Sequence, residues 1–473
     1  MTDVLARLEA MRAGDLPTHG GRTLAYVYDS GIAEADEIGR QALAMYASAN
    51  GLDPTAFPSL LQMERDLVGR AAALFHGDTA VGTVTSGGTE SILLAVLTAR
   101  EAHPEIQRPV LVAPTSVHAA FRKAAKYFGV EMVAVDVDPA TKRADVDAMN
   151  SAVTELAERV VLVAASAPSY AHGVIDPIEP LAAHAQSLGK RFHVDACIGG
   201  WVLPWAERVG HPLPLWDFRV PGVTSISADL HKYAFTPKGV SLLLHRTPEH
   251  RKAQYFASAD WPGYTMLNAT MQSTKSGGPL AAAWAVVEYL GEAGYERLTA
   301  TALEATRRIV EGIGAIDHLR VVGEPDSTIL AFETDDALDV FTLADLMLDR
   351  GWFVQPQMSF RGQPPSIHLT VSPPTNVDDF LVALRESVGA AVAAGPIVVD
   401  PELAAAAQSI DPTTFDDATF HGLLALAGLA GEGGGVAVPE RMAPVNALLD
   451  VAPPALREAL LIGFLDRLTR TIG

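Results

Sequence analysis

Between residues 80 and 246, short apolar runs alternate with longer stretches in helical spacing. This alternation limits the fold more than any other feature of the chain. The runs lie at 110–113, 132–137, 160–165, 192–194, 225–228 and 240–244, and helical stretches at 89–102, 118–128, 146–158 and 178–188 lie between them. Uninterrupted apolar runs mark strands buried on both faces, and strands alternating with helices assemble as a mainly parallel sheet. Such sheets bind ligands beyond the carboxyl ends of their strands. Chemistry is therefore expected in the segments that follow the runs.

At 473 residues the chain exceeds one simple core. Residues 1–60 hold one predicted helix, over 33–49, and too little apolar surface for a core of their own. They are expected to pack on a second subunit. A helix over 60–75 opens a large domain expected to span 61–300. A helix over 280–314 follows, then strands at 320–322, 329–332, 352–354 and 367–371 and helices at 338–349 and 377–393. These read as a small α+β domain spanning 301–473. The tail carries a glycine turn, Gly431-Glu-Gly-Gly-Gly435, and an amphipathic helix over 454–468. The formal charge of −21 argues against nucleic acid or an anionic membrane as partner. No apolar stretch reaches the roughly 20 residues of a membrane span. No leader is apparent at the acidic N-terminus, and one cysteine suits a reducing cytoplasm.

Four short segments bear chemistry. Thr85-Ser-Gly-Gly-Thr-Glu-Ser91 is a turn that opens a helix. Its glycines admit close backbone approach, and the free N–H groups of a helix start suit a phosphate; the pattern is equally that of a Ser/Thr helix cap. It lacks the lysine of a Walker loop and the spacing of a dinucleotide fingerprint. In His193-Val-Asp-Ala-Cys197, the i, i+2, i+4 spacing puts three polar groups on one strand face. These are metal-ligand types without a fourth partner; alternatively, Asp195 can hold a proton on a pyridine nitrogen. His118 stands at a helix start, where it can stack on a flat ring or cap the helix. Lys232, in Ser225-Ile-Ser-Ala-Asp-Leu-His-Lys232, follows a buried strand, where a lysine either snorkels to water or forms a Schiff base. A phosphate cradle, a ring-nitrogen acid, a stacking imidazole and a Schiff-base lysine are together the parts that pyridoxal phosphate requires.

These segments carry a resemblance. With Asp217-Phe-Arg-Val-Pro-Gly222, His172-Gly-Val-Ile-Asp-Pro177, Asp260-Trp-Pro-Gly263 and Pro364-Pro-Ser-Ile-His368, the chain resembles the sphingosine-1-phosphate lyase group of decarboxylase-like pyridoxal-phosphate enzymes. The resemblance implies an α/β fold of the aspartate aminotransferase kind (fold type I), with a mainly parallel seven-stranded sheet and a small C-terminal domain. It implies that Lys232 bonds the cofactor, Asp195 pairs with the ring nitrogen and His118 stacks on the ring. Gly88, Thr89 and His231 would hold the phosphate, with Thr274 reaching it from the other subunit. Lys238 and Tyr28 would stand near the substrate and handle protons, the tyrosine coming across a homodimer with shared active sites. No metal is implied. Three positions depart from the group: Asp53 replaces a histidine, Lys275 replaces an arginine, and 358–363 is inserted, with Arg361 expected at the substrate entrance.

The implied reaction is cleavage of the C2–C3 bond of a 2-amino-3-hydroxy substrate, a phosphorylated long-chain base. Amino-acid decarboxylation on the same scaffold is the alternative. Asp53 and Lys275 bear on the choice, because an acid repels a phosphate and a lysine lacks the bidentate fork of arginine.

Overall fold

The structure, a computed structural model, describes residues 2–411, 416, 419–422 and 441–470, so the glycine turn at 431–435 lies outside the described residues. The chain forms two units. One comprises Met1–Val310, Val322–Ala331 and Leu369–Asn376; the other comprises Glu311–Val321, Phe332–His368 and Val377–Gly473.

In the first unit, helices α1 (Thr2–Met11), α2 (Ala33–Met45) and α3 (Pro58–Leu74) precede a seven-stranded sheet. Its strands are β1 (Val81–Thr85), β2 (Val110–Pro114), β3 (Glu131–Val135), β4 (Val160–Ser166), β5 (Arg191–Asp195), β6 (Ser225–Asp229) and β7 (Ser241–His245). Helices α4 (Gly88–Glu101), α5 (Ala120–Phe128), α6 (Val146–Glu155), α7 (Ile178–Ser187) and α8 (Leu203–Arg208) lie between them in sequence. The strand order is β1-β7-β6-β5-β4-β2-β3. Strands β2 to β6 pair in parallel, while β7 runs antiparallel to both β6 and β1. Two antiparallel steps return β1 to the direction of β6. Thr85, Ser166, Asp195 and Asp229 therefore end their strands at one edge.

Burial explains the runs. Alternate residues of β2 enter opposite cores, Val110 and Val112 on one face and Leu111 and Ala113 on the other. Each large apolar side chain buried this way contributes about 1.5–3 kcal/mol. Strand β1 is not among the predicted runs, because its threonines break the apolar pattern. Thr83 and Thr85 are buried through hydrogen bonds instead, to Gln254 and Ser91.

Further on, α9 (Pro248–Arg251) and a hairpin of β8 (Phe256–Ser258) and β9 (Met266–Asn268) precede α10 (Gly277–Gly314). The helix expected over 280–314 is interrupted at Gly291, whose φ of 57° is the left-handed conformation that glycine adopts without a Cβ penalty. Near the N-terminus, α1 exposes Val4, Leu5, Leu8 and Met11. Leu24 and Ala25, by contrast, are fully buried within their own chain, with the Thr370 N–H donating to the Leu24 carbonyl at 2.7 Å.

The second unit carries most of a sheet of order β10-β11-β13-β12, made of β10 (Leu319–Val321), β11 (Ile329–Thr334), β12 (Gln355–Gln357) and β13 (Ser366–Thr370). Its helices are α11 (Val340–Asp349), α12 (Val377–Ala394), α13 (Pro401–Ser409), α14 (Ala443–Val451) and α15 (Pro454–Leu468). The strand expected at 352–354 starts at Gln355. Trp352 and Val354 are buried by packing, Trp352 edge-on to Phe380 with ring centroids 5.3 Å apart. Among the described residues no helix is long and apolar enough to cross a membrane.

Candidate active site

The strand ends converge on a cavity of about 400 Å³ in the first unit, within the range of small-molecule sites. Thr85 and Asp229 flank Ser241 in the β1–β7–β6 register, and Ser166, Asp195 and Ser227 stand level across β4–β5–β6. The sheet register thus sets the heights of the site residues.

Lys232 lies three residues beyond β6, and its Nζ is 2.9 Å from Asp229 Oδ2. Burial alone would lower the lysine's pKa, but the Asp229 carboxylate more than reverses this, so the ammonium is favoured. Burial likewise opposes ionisation of Asp229; the Lys232 and His231 charges outweigh it and hold the carboxyl below its usual range. Asp229 is 2% exposed, and its Oδ1 is buried without a hydrogen-bond partner.

Opposite stands the start of α4. A Cβ on Gly88 would sit 2.7 Å from both Asp229 Oδ1 and Cys197 Sγ, so only glycine lets the helix come this close. Glu90 braces the turn by accepting from the Ser86 N–H at 2.6 Å and, through its other oxygen, from the Met271 N–H at 2.7 Å. The Thr89 side chain faces solvent beside the first N–H groups of the helix, which have no intrahelical acceptor. His231 completes this wall. Its Nδ1 accepts from the Val240 N–H at 3.3 Å, and burial keeps its pKa low.

Asp195, at the end of β5, is 7% exposed and accepts from the Cys197 N–H at 3.1 Å. His118 stands at the rim, ring exposed, its Nδ1 accepting from the Ala120 N–H at 3.2 Å, edge-on to Tyr170. His193 is drawn into the core instead. It bonds the hydroxyls of Ser225 and Ser227 at 2.9 and 3.2 Å, and burial pushes its pKa down to about 4. Cys197 is buried with its thiol pKa raised by burial.

Lys238 Nζ donates to the carbonyls of Tyr26 at 2.9 Å and His231 at 3.2 Å, and lies 4.9 Å from the centre of the Tyr28 ring. Lys238 has an exposed side chain, yet desolvation at its ammonium and the nearby Lys232 charge bring it down to about 8. The Tyr28 phenol is raised by burial, so it stays an O–H donor at neutral pH. Its ring meets Tyr233 edge-on at 5.1 Å. Tyr28, which the resemblance implied to come from the neighbour, thus already stands beside Lys232 and Lys238 of its own chain.

The structure brings Gly88, Thr89, His118, Asp195, His231 and Lys232 to one cavity. Thr274 is not among them. It is exposed and lines a smaller neighbouring hollow of about 170 Å³ with Ser86 and Glu90. Lys275 pairs with Glu64 at 2.7 Å, and the Asp53 carboxylate accepts from Thr55 in an exposed loop, which lowers its pKa. Arg361 belongs to the second unit, its guanidinium 5.5 Å from the centre of the Phe360 ring. The sequence reading missed Asp229, Tyr170 and Glu90 as lining residues. Asp229 and Tyr170 follow buried runs, the signal that singled out Lys232.

A cradle closed by Gly88, a buried unpartnered carboxylate oxygen and a lysine beside it fit a phosphate-bearing ring with a reactive aldehyde. Comparison with known proteins agrees. Residues 36–335 match the pyridoxal-dependent decarboxylase conserved domain, and 401–467 match a C-terminal helix-turn-helix domain of pyridoxal-dependent enzymes. The sphingosine-1-phosphate lyase of Arabidopsis thaliana is 40% identical over 399 residues, covering 82% of this chain and 72% of that protein. That of Dictyostelium discoideum is 35% identical over 344 residues, covering 72% of this chain and 63% of that protein. The solved sphingosine-1-phosphate lyase of Burkholderia pseudomallei is similar with a TM-score of 0.78 at 36% identity, covering 83% of this chain and 91% of that chain. The chain belongs to the pyridoxal-dependent decarboxylase family, in its sphingosine-1-phosphate lyase branch, and is a pyridoxal-phosphate-dependent lyase.

Proposed function

We propose that this lyase cleaves the C2–C3 bond of a 2-amino-3-hydroxy substrate, a phosphorylated long-chain base of the sphingosine-1-phosphate type, to an aldehyde and phosphoethanolamine. The observation that carries the reading is Lys238. Its ammonium is fixed by the carbonyls of Tyr26 and His231 beside the Tyr28 ring, and desolvation with the Lys232 charge brings its pKa down to about 8.

Lys232 would bond the cofactor, Gly88, Thr89 and His231 would hold its phosphate, His118 would lie against its ring and Asp195 would keep a proton on the ring nitrogen. Once bound, the cofactor would supply an electron sink for the pair released at C2. Lys238, once neutral, still donates two N–H bonds to the Tyr26 and His231 carbonyls. Its lone pair is then free to take the proton of the C3 hydroxyl. Tyr28, fixed as a donor, orients that oxygen. A base matched to the working pH is worth about 10²–10⁴ in rate.

The enzyme acts as a homodimer in which Thr274 reaches the neighbour's phosphate, a reading supported by its exposed position outside its own cavity. It works in the cytoplasm, in sphingolipid breakdown; its lone, buried cysteine suits that compartment. The three domain spans, with 1–60 reaching toward the partner, belong to the same proposal.

The test is product analysis with phosphorylated sphingoid base and, separately, with the common amino acids. Aldehyde release from the base is expected. Carbon dioxide from an amino acid without aldehyde from the base would assign the chain to decarboxylation.

A further inference from the structure

We propose that Asp229 is a positioning residue that stores Lys232 as an ammonium before the cofactor binds and so governs how pyridoxal phosphate is accepted. Three observations meet here. The Asp229–Lys232 pair is a direct contact of 2.9 Å, with Asp229 2% exposed. The second carboxylate oxygen, Oδ1, is buried without a partner. The whole carboxylate faces the phosphate cradle, since a Cβ on Gly88 would stand 2.7 Å from Oδ1 and 2.8 Å from Oδ2. A buried carboxylate aimed at a helix start occupies the place of an anion. It holds the lysine in the form that cannot attack.

Loading the cofactor then has two steps. The Lys232 ammonium gives up one proton to water. The neutral amine forms a C=N bond to the aldehyde carbon, whose oxygen leaves as one water molecule. Lys232 loses its charge in the first step, and Asp229 loses its counter-ion. His231 Nε2 lies 3.6 Å from Asp229 Oδ2, but burial holds the imidazole toward its neutral form, with Nδ1 accepting from the Val240 N–H, so it does not replace the lost charge.

The other groups facing Lys232 do not replace Asp229. They are Tyr28 from the N-terminal segment, Tyr170 beyond β4, Cys197 beyond β5, Tyr233 beside it, and the bases His231 and Lys238. The phenols and the thiol are pushed toward their neutral forms by burial, and Lys238 is itself a cation. Asp195 also lines the cavity, with its carboxylate accepting from the Cys197 N–H.

The test is cofactor loading without substrate, which makes it independent of the bond the enzyme breaks. Cofactor-stripped full-length protein is mixed with pyridoxal phosphate across pH 6 to 9, and growth of the visible band is followed. The wild-type rate is expected to climb with pH, up to about tenfold per unit, as the neutral amine becomes available. D229N should load at least about tenfold faster at pH 7 with a shallower slope, since burial then acts on Lys232 without its counter-ion. Equal or slower loading by D229N, with an unchanged slope, would overturn the proposal. If D229N fails to fold, the wild-type slope alone decides, and a flat profile from pH 6 to 9 overturns it.

Discussion

Lys238 and Tyr26 meet through a 2.9 Å hydrogen bond from the ammonium to a backbone carbonyl, across 212 positions of sequence. Tyr26 holds a left-handed φ of 65°, a costly conformation for a bulky residue. Leu24, pinned by Thr370, and Asp29, whose carboxylate accepts from the N–H groups of Gly20 and Gly31, anchor the segment on both sides. The Tyr26 carbonyl is thereby held toward the Lys238 ammonium.

Lys238→Met should therefore lower kcat by about 10²–10⁴ while the cofactor's visible band stays intact. In the wild type the base must be neutral to act, so kcat/KM should rise with pH and level off above about 8. A pH–rate profile that stays flat from pH 6 to 9 would remove Lys238 from the role.

Gly88→Ala should cost cofactor affinity. The added Cβ would collide with Asp229 and Cys197, and neither belongs to a flexible surface chain that can step aside. We expect a loss of at least about 1.4 kcal/mol, tenfold in Kd, measured by titration of the visible band with circular dichroism showing retained fold. Unchanged affinity would contradict the cradle.

Lys275 is tied to Glu64, which also accepts from the Val84 N–H at 2.8 Å. Glu64→Gln should release the ammonium. If that face meets the substrate phosphate, KM should fall for a phosphorylated base and stay constant for its unphosphorylated counterpart. An equal change for both would place the phosphate elsewhere.

Three histidines make stability depend on pH. Burial lowers His193 and His172 to about 4 and His245 to about 3, whereas the unfolded chain takes up these protons near pH 6.5. Folding stability is then complete above pH 6.5 and falls as acid favours the proton-binding unfolded state, by up to about 1.4 kcal/mol per pH unit for a fully buried histidine. His193→Gln should flatten the decline of Tm between pH 6.5 and 4.5. A decline as steep as that of the wild type would show that His193 is not involved.

The strands were readable where both faces are covered. Residues 160–165 and 225–228 stand out because β4 and β6 are buried along their whole length, and Ser225 and Ser227 are accommodated by bonding His193. Strand β1 escaped, since its threonines find partners in Gln254 and Ser91, which no local pattern announces. Within the site, Lys232 and Asp195 stood out because each ends a buried run. Asp229 ends one too, but its meaning depends on a 2.9 Å approach that follows from how the chain turns after β6. Glu64 and Lys275 are 211 positions apart, so their pairing was legible only in three dimensions. Tyr28 was marked by resemblance alone, and its place beside Lys238 of the same chain came from the packing of Leu24 and Ala25.

The bond that breaks can be followed directly. A phosphorylated sphingoid base labelled with ¹³C at C2 and C3 should give aldehyde carrying the C3 label and phosphoethanolamine carrying the C2 label, in equal amounts. Both labels remaining in one product, with carbon dioxide released from an amino acid instead, would contradict the account.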